Sequence, residues 1–145
     1  MRRNPVLKEV SNLLTAPILL FALYVQFHGD YGPGGGFQAG VIFGAGIILY
    51  SIIYGLDKAQ SVFPPARVRI AVALGLLLYA SVGFAGVLLG GNYLDYNVLA
   101  HDPVEGQHIG ILLIELGVGI TVAAVMITIF YAFAGRAQPN EGSDR

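Results

Sequence analysis

The stretch His28-Gly-Asp-Tyr-Gly-Pro-Gly-Gly-Gly-Phe-Gln-Ala-Gly-Val41 lies between two apolar runs, each long enough to cross a bilayer. Three consecutive glycines, Gly34 to Gly36, leave no side chains at the mouth of the second run. Glycine then recurs at helical spacing at Gly36, Gly40 and Gly44, which sets a smooth strip on one face of a membrane helix. Another helix can approach such a strip closely. It could belong to this chain or to a different one, and the expectation is a different one. A chain that gives its most distinctive residues to close packing reads as one part of a larger membrane assembly.

Composition agrees with the membrane. Aliphatic and aromatic residues make up 55% of the chain and charged residues 12%. Soluble proteins carry about 25% charged residues, so the deficit is in charge. Mean hydropathy is +0.68. The 145 residues leave room for one domain. The absence of cysteine excludes disulfides, cysteine-ligated clusters and thiol nucleophiles. A net charge of −1 gives no case for nucleic acid as a partner.

Four spans follow from the apolar runs, giving an all-α integral membrane protein. They cover about residues 10–27, 36–56, 68–89 and 109–133. The first lacks a convincing small-residue cleavage site and reads as a retained span. Pro17 inside it should loosen one turn. Residues 1–137 form the four-helix domain, and 138–145 read as a disordered cytoplasmic tail. Arg2, Arg3 and Lys8 precede the first span, Lys58, Arg67 and Arg69 separate the second from the third, and Arg136 follows the fourth. The other two connections carry Asp30, Asp95, Asp102 and Glu105 but no Lys or Arg. The positive-inside rule then makes both termini cytoplasmic. Pro64-Pro65 gives the connection between spans two and three a stiff corner.

Small residues recur in the later spans, at Ala71, Gly75, Gly86 and Gly90, and at Gly117, Gly119, Ala123 and Ala124. Lipid provides little hydrophobic drive for helix association, so close packing must supply it. Four helices alone do not need this many smooth strips, which again argues for partner subunits.

Glu115 is the acidic residue that the pattern places inside a span. A carboxylate in hydrocarbon costs several kcal/mol unless it is protonated, paired or hydrated, as estimated for buried charges. It could bind a proton or a sodium ion, hold a positive partner, or lock helices together. It stands about six residues, or roughly 9 Å, into the fourth span. His101, Asp102, Glu105 and His108 cluster just before that span, but their spacing matches no zinc pattern. They read as a solvated loop, with no metal site. His108 and Glu115 are two helical turns apart, which leaves a surface relay conceivable. His28 and Asp30 flank the glycine loop and could serve a vestibule. Gln38 can hydrogen-bond across to another helix. Tyr24, Tyr50, Tyr54, Tyr93 and Tyr96 fall near the expected membrane interfaces. The glycine loop lacks the spacing of a phosphate loop.

His28-Gly29 followed by Pro33-Gly-Gly-Gly-Phe-Gln-Ala-Gly40 resembles the signature of the MnhB/MrpB family. Gly110-Ile-Leu-Leu-Ile-Glu115-Leu-Gly-Val118 is similar to that family's last helix. The resemblance spans essentially the whole chain. Ala39 departs mildly from it, standing where the family often has glycine. It implies the MnhB/MrpB component of a multisubunit Mrp-type Na⁺/H⁺ antiporter, exporting Na⁺ against protons and supporting pH homeostasis. The implied partners are the other subunits, the lipid bilayer, and Na⁺ and H⁺ as ions of the whole complex. The implied setting is a bacterial or archaeal cell membrane, with no cofactor. Residues carried over by motif are Pro33, Gly34, Gly35, Gly36, Phe37, Gln38, Gly40 and Glu115, and Gly44 extends their packing strip. The equivalent subunit of an ion-translocating membrane-bound hydrogenase is the alternative. A fragment or fusion partner of the large antiporter subunit is the other possibility, and the polar tail favours a free-standing subunit. No nucleophile constellation is present, so an enzyme is not expected and no catalytic residue is assigned.

Overall fold

The computed structural model describes residues 5–29 and 32–136. They form five α-helices: α1 Pro5–His28, α2 Gly36–Tyr54, α3 Leu56–Val62, α4 Pro65–Leu88 and α5 Pro103–Arg136, with one 3₁₀ turn at Tyr96–Leu99. Four of them, α1, α2, α4 and α5, are long and apolar enough to cross a membrane. The expected tail 138–145, together with Arg2, Arg3 and Asp30, lies outside the described residues.

Each helix begins and ends for a local reason. Gly35, with φ +140°, turns the chain into α2 in a conformation that a side chain would disfavour. Gly55, with φ +94°, ends α2, and its N–H bonds the Ser51 carbonyl at 2.9 Å. That break shortens the expected second span by two residues. It also frees Leu56–Val62 to form α3, a short helix that the apolar pattern does not announce. Pro64 and Pro65 do make a corner, but Pro65 is also the first residue of α4, where its missing N–H costs nothing. α1 runs through Pro17 without ending. α5 starts six residues earlier than expected, because Asp102 Oδ1 accepts from the Val104 N–H at 2.9 Å and caps the new end. Glu115 is therefore twelve residues, about 18 Å, from the start of the helix. The helix's 34 residues span about 51 Å, well beyond a hydrocarbon core of about 30 Å.

The helices stand in a bent row, in the spatial order α1, α2, α5, α4. α5 is central and packs on both α2 and α4. α1 packs on α2 and barely touches α5, while α1 and α4 do not pack on each other. The α2–α5 seam is set by small residues in one-to-one parallel register. Gly36 faces the Glu115 backbone, Gly40 faces Gly119, and Gly44 faces Ala123 and Met126. A methyl on Gly40 would stand 2.6 Å from the Gly119 carbonyl oxygen. The glycine strip expected to meet another chain is thus filled by this chain's own last helix. The α4–α5 seam works the same way, with a methyl on Gly117 falling 2.9 Å from the Gly75 carbonyl oxygen. Gly83 and Gly110 seat Tyr93 and Tyr96 of the 89–102 connection.

The two ends of the row differ in chemistry. One end gathers the start of α1, the end of α2, α3, the start of α4 and the end of α5. There Lys58 and Lys8 lie 4.9 and 5.7 Å from the centre of the Tyr54 ring, tying α3 and α1 to α2. The Tyr131 hydroxyl donates to the Phe63 carbonyl at 3.2 Å and pins α5 to the α3–α4 corner. The buried cluster of Ile47, Leu56, Ala59, Val68, Ala124, Ile127 and Tyr131 fills the space between. Lys8, Lys58, Arg67, Arg69 and Arg136 belong to this end by their places on the helices. The opposite end carries the glycine loop and the 89–102 connection.

Substituting Gly40→Ala is expected to destabilise the purified protein by about 1–3 kcal/mol, the usual cost of overpacking. Gly135→Ala meets nothing within 4 Å and is expected to leave stability level or raise it by about 0.5–1 kcal/mol. Thermal unfolding midpoints in one detergent compare the two. Equal midpoints would refute the tight seam.

Candidate functional site

The Gly32–Gly36 segment folds back over the end of α1. The Gly35 N–H donates to the Val25 carbonyl at 3.2 Å and the Gly32 N–H to the His28 carbonyl at 3.0 Å. A methyl on Gly34 would fall 2.6 Å from the Val25 carbonyl oxygen, so this fold-back needs glycine there. The consequence is a pocket of bare backbone, and Glu115 of α5 fills it.

Three glycines touch Glu115. A methyl on Gly29 would stand 2.6 Å from its Oε2 and 2.8 Å from its Oε1. One on Gly35 would stand 3.2 Å from Oε1 and 3.1 Å from Oε1 of Gln38. One on Gly36 would collide with the backbone carbonyl of Glu115. The signature glycines and the intramembrane carboxylate, read separately in the sequence, therefore form one place. The carboxylate is partly buried there.

The surrounding backbone suits a charge. α2 starts at Gly36 with no side-chain cap, so its first N–H groups and the positive end of its dipole face the region of the Glu115 carboxylate. α1 ends at His28, and its last carbonyls face the same region with the opposite sign. Such a site can hold a carboxylate. It can also hold a proton or a small cation between that carboxylate and carbonyl oxygens.

The other residues singled out in the sequence divide around this place. His28 is half-buried and stacks on Tyr24 with ring centres 5.0 Å apart. Gln38 is exposed and reaches the glycine loop. Phe37 is 62% exposed and Pro33 is exposed, so neither contributes to the packing of this chain. Phe37 follows Gly36 on the helix, and the turn carries it off the α5 face. His108, His101, Asp102 and Glu105 are all exposed along the start of α5 and just before it. No group of three or more metal-ligating side chains gathers among the described residues. Burial, then the neighbouring phenols of Tyr79 and Tyr93, push the Tyr96 hydroxyl above its ordinary range, so it stays neutral.

The sequence reading missed Gln26. It is only 5% exposed, its Oε1 lies where a methyl on Gly119 would fall 2.5 Å away, and its Nε2 has no hydrogen-bond partner among the described residues. The signal was available: it is an amide at the end of the apolar run that follows Thr15, one turn before Gly29. Gly119 is likewise one turn after Glu115, so the amide and the carboxylate occupy adjacent levels of the α1–α2–α5 junction.

Comparison with known proteins gives one consistent result. The family described as "Domain related to MnhB subunit of Na⁺/H⁺ antiporter" matches residues 6–128. A protein of Staphylococcus haemolyticus (strain JCSC1435), provisionally named antiporter subunit mnhB2, is 31% identical over 139 residues, covering 93% of this chain and 98% of its own length. A protein of Staphylococcus aureus (strain Newman) with the same provisional name matches at the same identity and coverage.

Gly29→Ala is expected to displace the Glu115 carboxylate while leaving the α2–α5 seam in place. The check is the reactivity of Glu115 toward a membrane-permeant carbodiimide, followed by peptide mass analysis. Labelling that changes severalfold supports the contact, and wild-type labelling in a folded Gly29→Ala protein would refute it.

Proposed function

The chain belongs to the MnhB family, and we propose that it is a small, multi-pass membrane subunit of a multisubunit Na⁺/H⁺ antiporter. The observation that carries this reading is the fold-back of the glycine loop onto Glu115. It joins the two segments of family resemblance into one site within a four-span domain. Coverage of nearly the whole length of the relatives supports the role of a subunit similar in extent to theirs. Their names favour the antiporter over the hydrogenase-type alternative.

Within that complex, Glu115 is assigned to the cation or proton route, or to a charge that acts on it. A purely structural lock would not need a carboxylate, because the glycines already set the helix spacing. The uncapped start of α2 supports a charge-bearing role, since an N-terminus stabilises an anion beside it. His28, Asp30 and His108 remain candidates for the vestibule around it. The other subunits of the antiporter are the partners, and Na⁺ and H⁺ are its cargo.

The charge distribution supports an orientation. With Lys8, Lys58, Arg67, Arg69 and Arg136 at one end of the row, the positive-inside rule puts that end in the cytoplasm, with both ends of the chain, and the glycine loop outside. The chain has no cysteine, so single replacements report cleanly. Ser61→Cys is expected to resist a membrane-impermeant maleimide in intact cells, and Asp102→Cys to react. The reverse pattern would overturn the orientation.

Glu115→Gln tests the assigned role in vesicles carrying the complete complex. Expected is a loss of Na⁺-dependent proton flux of at least tenfold, with all subunits still assembled. Normal flux would make the carboxylate dispensable and overturn its place on the route. Lost assembly would assign it a structural role instead.

A further inference from the structure

Gln38 is the third residue of α2, the position from which a glutamine ordinarily reaches back to the backbone N–H just before its helix. Here that bond is not made. The Gly35 N–H is already given to the Val25 carbonyl at 3.2 Å, and the Gln38 side chain makes no hydrogen bond among the described residues. Its oxygen is nonetheless turned back over the loop. A methyl on Gly35 would stand 3.1 Å from Gln38 Oε1 and 3.2 Å from Glu115 Oε1. An amide oxygen and a carboxylate oxygen therefore border the same bare face of Gly35. Two oxygens that share a space repel each other unless something positive stands with them.

We propose that Gln38 Oε1 and the Glu115 carboxylate together bind one Na⁺ over Gly35. This rests on the reading that places Glu115 on the antiporter's cation route, and it gives that route its ion and a second ligand. Three features select a monovalent metal cation. Both ligands are hard oxygens, the type that such ions accept. One carboxylate with one neutral amide balances a single positive charge, whereas a divalent ion would leave a charge uncompensated in a low-dielectric setting. The uncapped start of α2 stabilises the carboxylate as an anion, and only the anion holds a metal ion. The glycines supply the room, since no side chain stands at Gly29 or Gly35 to compete for space beside the carboxylate. Gln38 is exposed and Glu115 is partly buried, so the amide meets an arriving ion first. Its oxygen replaces part of the water shell that the ion gives up on moving in to the carboxylate.

The test uses the complete complex in membrane vesicles and reads the ion on this chain directly. Glu115 is labelled with a membrane-permeant carbodiimide at fixed pH, with sodium chloride exchanged for choline chloride at constant ionic strength, and the adduct is quantified by peptide mass analysis. The expected result is protection of Glu115 by Na⁺ in the wild type. In Gln38→Leu the Na⁺ concentration giving half protection should rise by about tenfold or more, the effect of losing one polar contact to a charged group. The Na⁺ concentration that half-saturates proton flux should rise with it, with flux at saturating Na⁺ kept. Gln38→Glu keeps an oxygen in place and adds a charge, so Ca²⁺ should protect Glu115 in that variant and not in the wild type. Wild-type labelling that ignores Na⁺, half protection unchanged in Gln38→Leu, or a Gln38→Glu complex that Ca²⁺ does not protect would each overturn the proposal. If Gln38→Leu does not assemble, the wild-type and Gln38→Glu arms decide it. In each overturning case, a Glu115→Gln complex that assembles and loses flux leaves the antiporter reading standing, with Glu115 on the proton side of the exchange. Normal flux in Glu115→Gln would overturn that reading and the proposal with it.

Discussion

The parallel contact of α2 with α5 is the constraint from which the rest of the structure follows. Gly36, Gly40 and Gly44 repeat every four residues, and so do Glu115, Gly119 and Ala123 opposite them. Equal periods on two parallel helices let the backbones meet along the whole seam rather than at one crossing. In lipid, where apolar side chains gain little by leaving one apolar environment for another, that continuous van der Waals contact is what holds the pair. Once it is fixed, α5 can act as the spine. α4 joins its other side through Gly75 and Gly117, and α1 is carried by α2.

The same seam explains the position of the charge. The first pair in the register is Gly36 with the backbone of Glu115, so the carboxylate is held at the level where α2 begins. A side chain on Gly29, Gly35 or Gly36 would occupy the space that the carboxylate and its backbone take. The glycine loop is therefore not merely a flexible link between two spans. Its lack of side chains brings the uncapped start of one helix, the carbonyl end of another and an acidic side chain from a third to one point. Helix ends supply fixed partial charges that do not have to reorient, which is the feature an ion or proton site in a low-dielectric setting requires.

Much of this is legible in the residues. Four apolar runs mark the four long helices, and the quoted glycine loop marks the site. Two kinds of information are not legible there. Helix ends outside the apolar runs depend on caps, not on hydropathy. Asp102-Pro103 carries that signal within a stretch that otherwise reads as loop, while Gly55 ends α2 and releases a short surface helix. The identity of the surface facing a glycine strip is the other gap. A strip states that something comes close but not what, and the repeat in α5 is partly hidden because its first member is a glutamate and its third an alanine. Only when Glu115, Gly119 and Ala123 are aligned with Gly36, Gly40 and Gly44 does the internal pairing become visible. Gln26 escapes notice because an amide in a long apolar helix, which also carries Asn12, looks like noise until its burial is known.

That internal pairing changes what remains for a partner. The smooth glycine strip of α2 is already filled, so an assembly cannot be held by it. What the fold leaves open is the concave side, where α1, α2, α4 and α5 line a shared cleft. The bent row holds α1 and α4 apart, with α5 supporting both. Gln26 and Glu115 also reach the same junction from opposite sides, through Gly119 and the glycine loop. A change in the packing at Gly119 would therefore be felt both by the Gln26 amide and, one turn away, by Glu115. The α2–α5 seam thus links the buried amide of α1 to the carboxylate of α5 through backbone alone, because no side chain stands between them at Gly36 or Gly119.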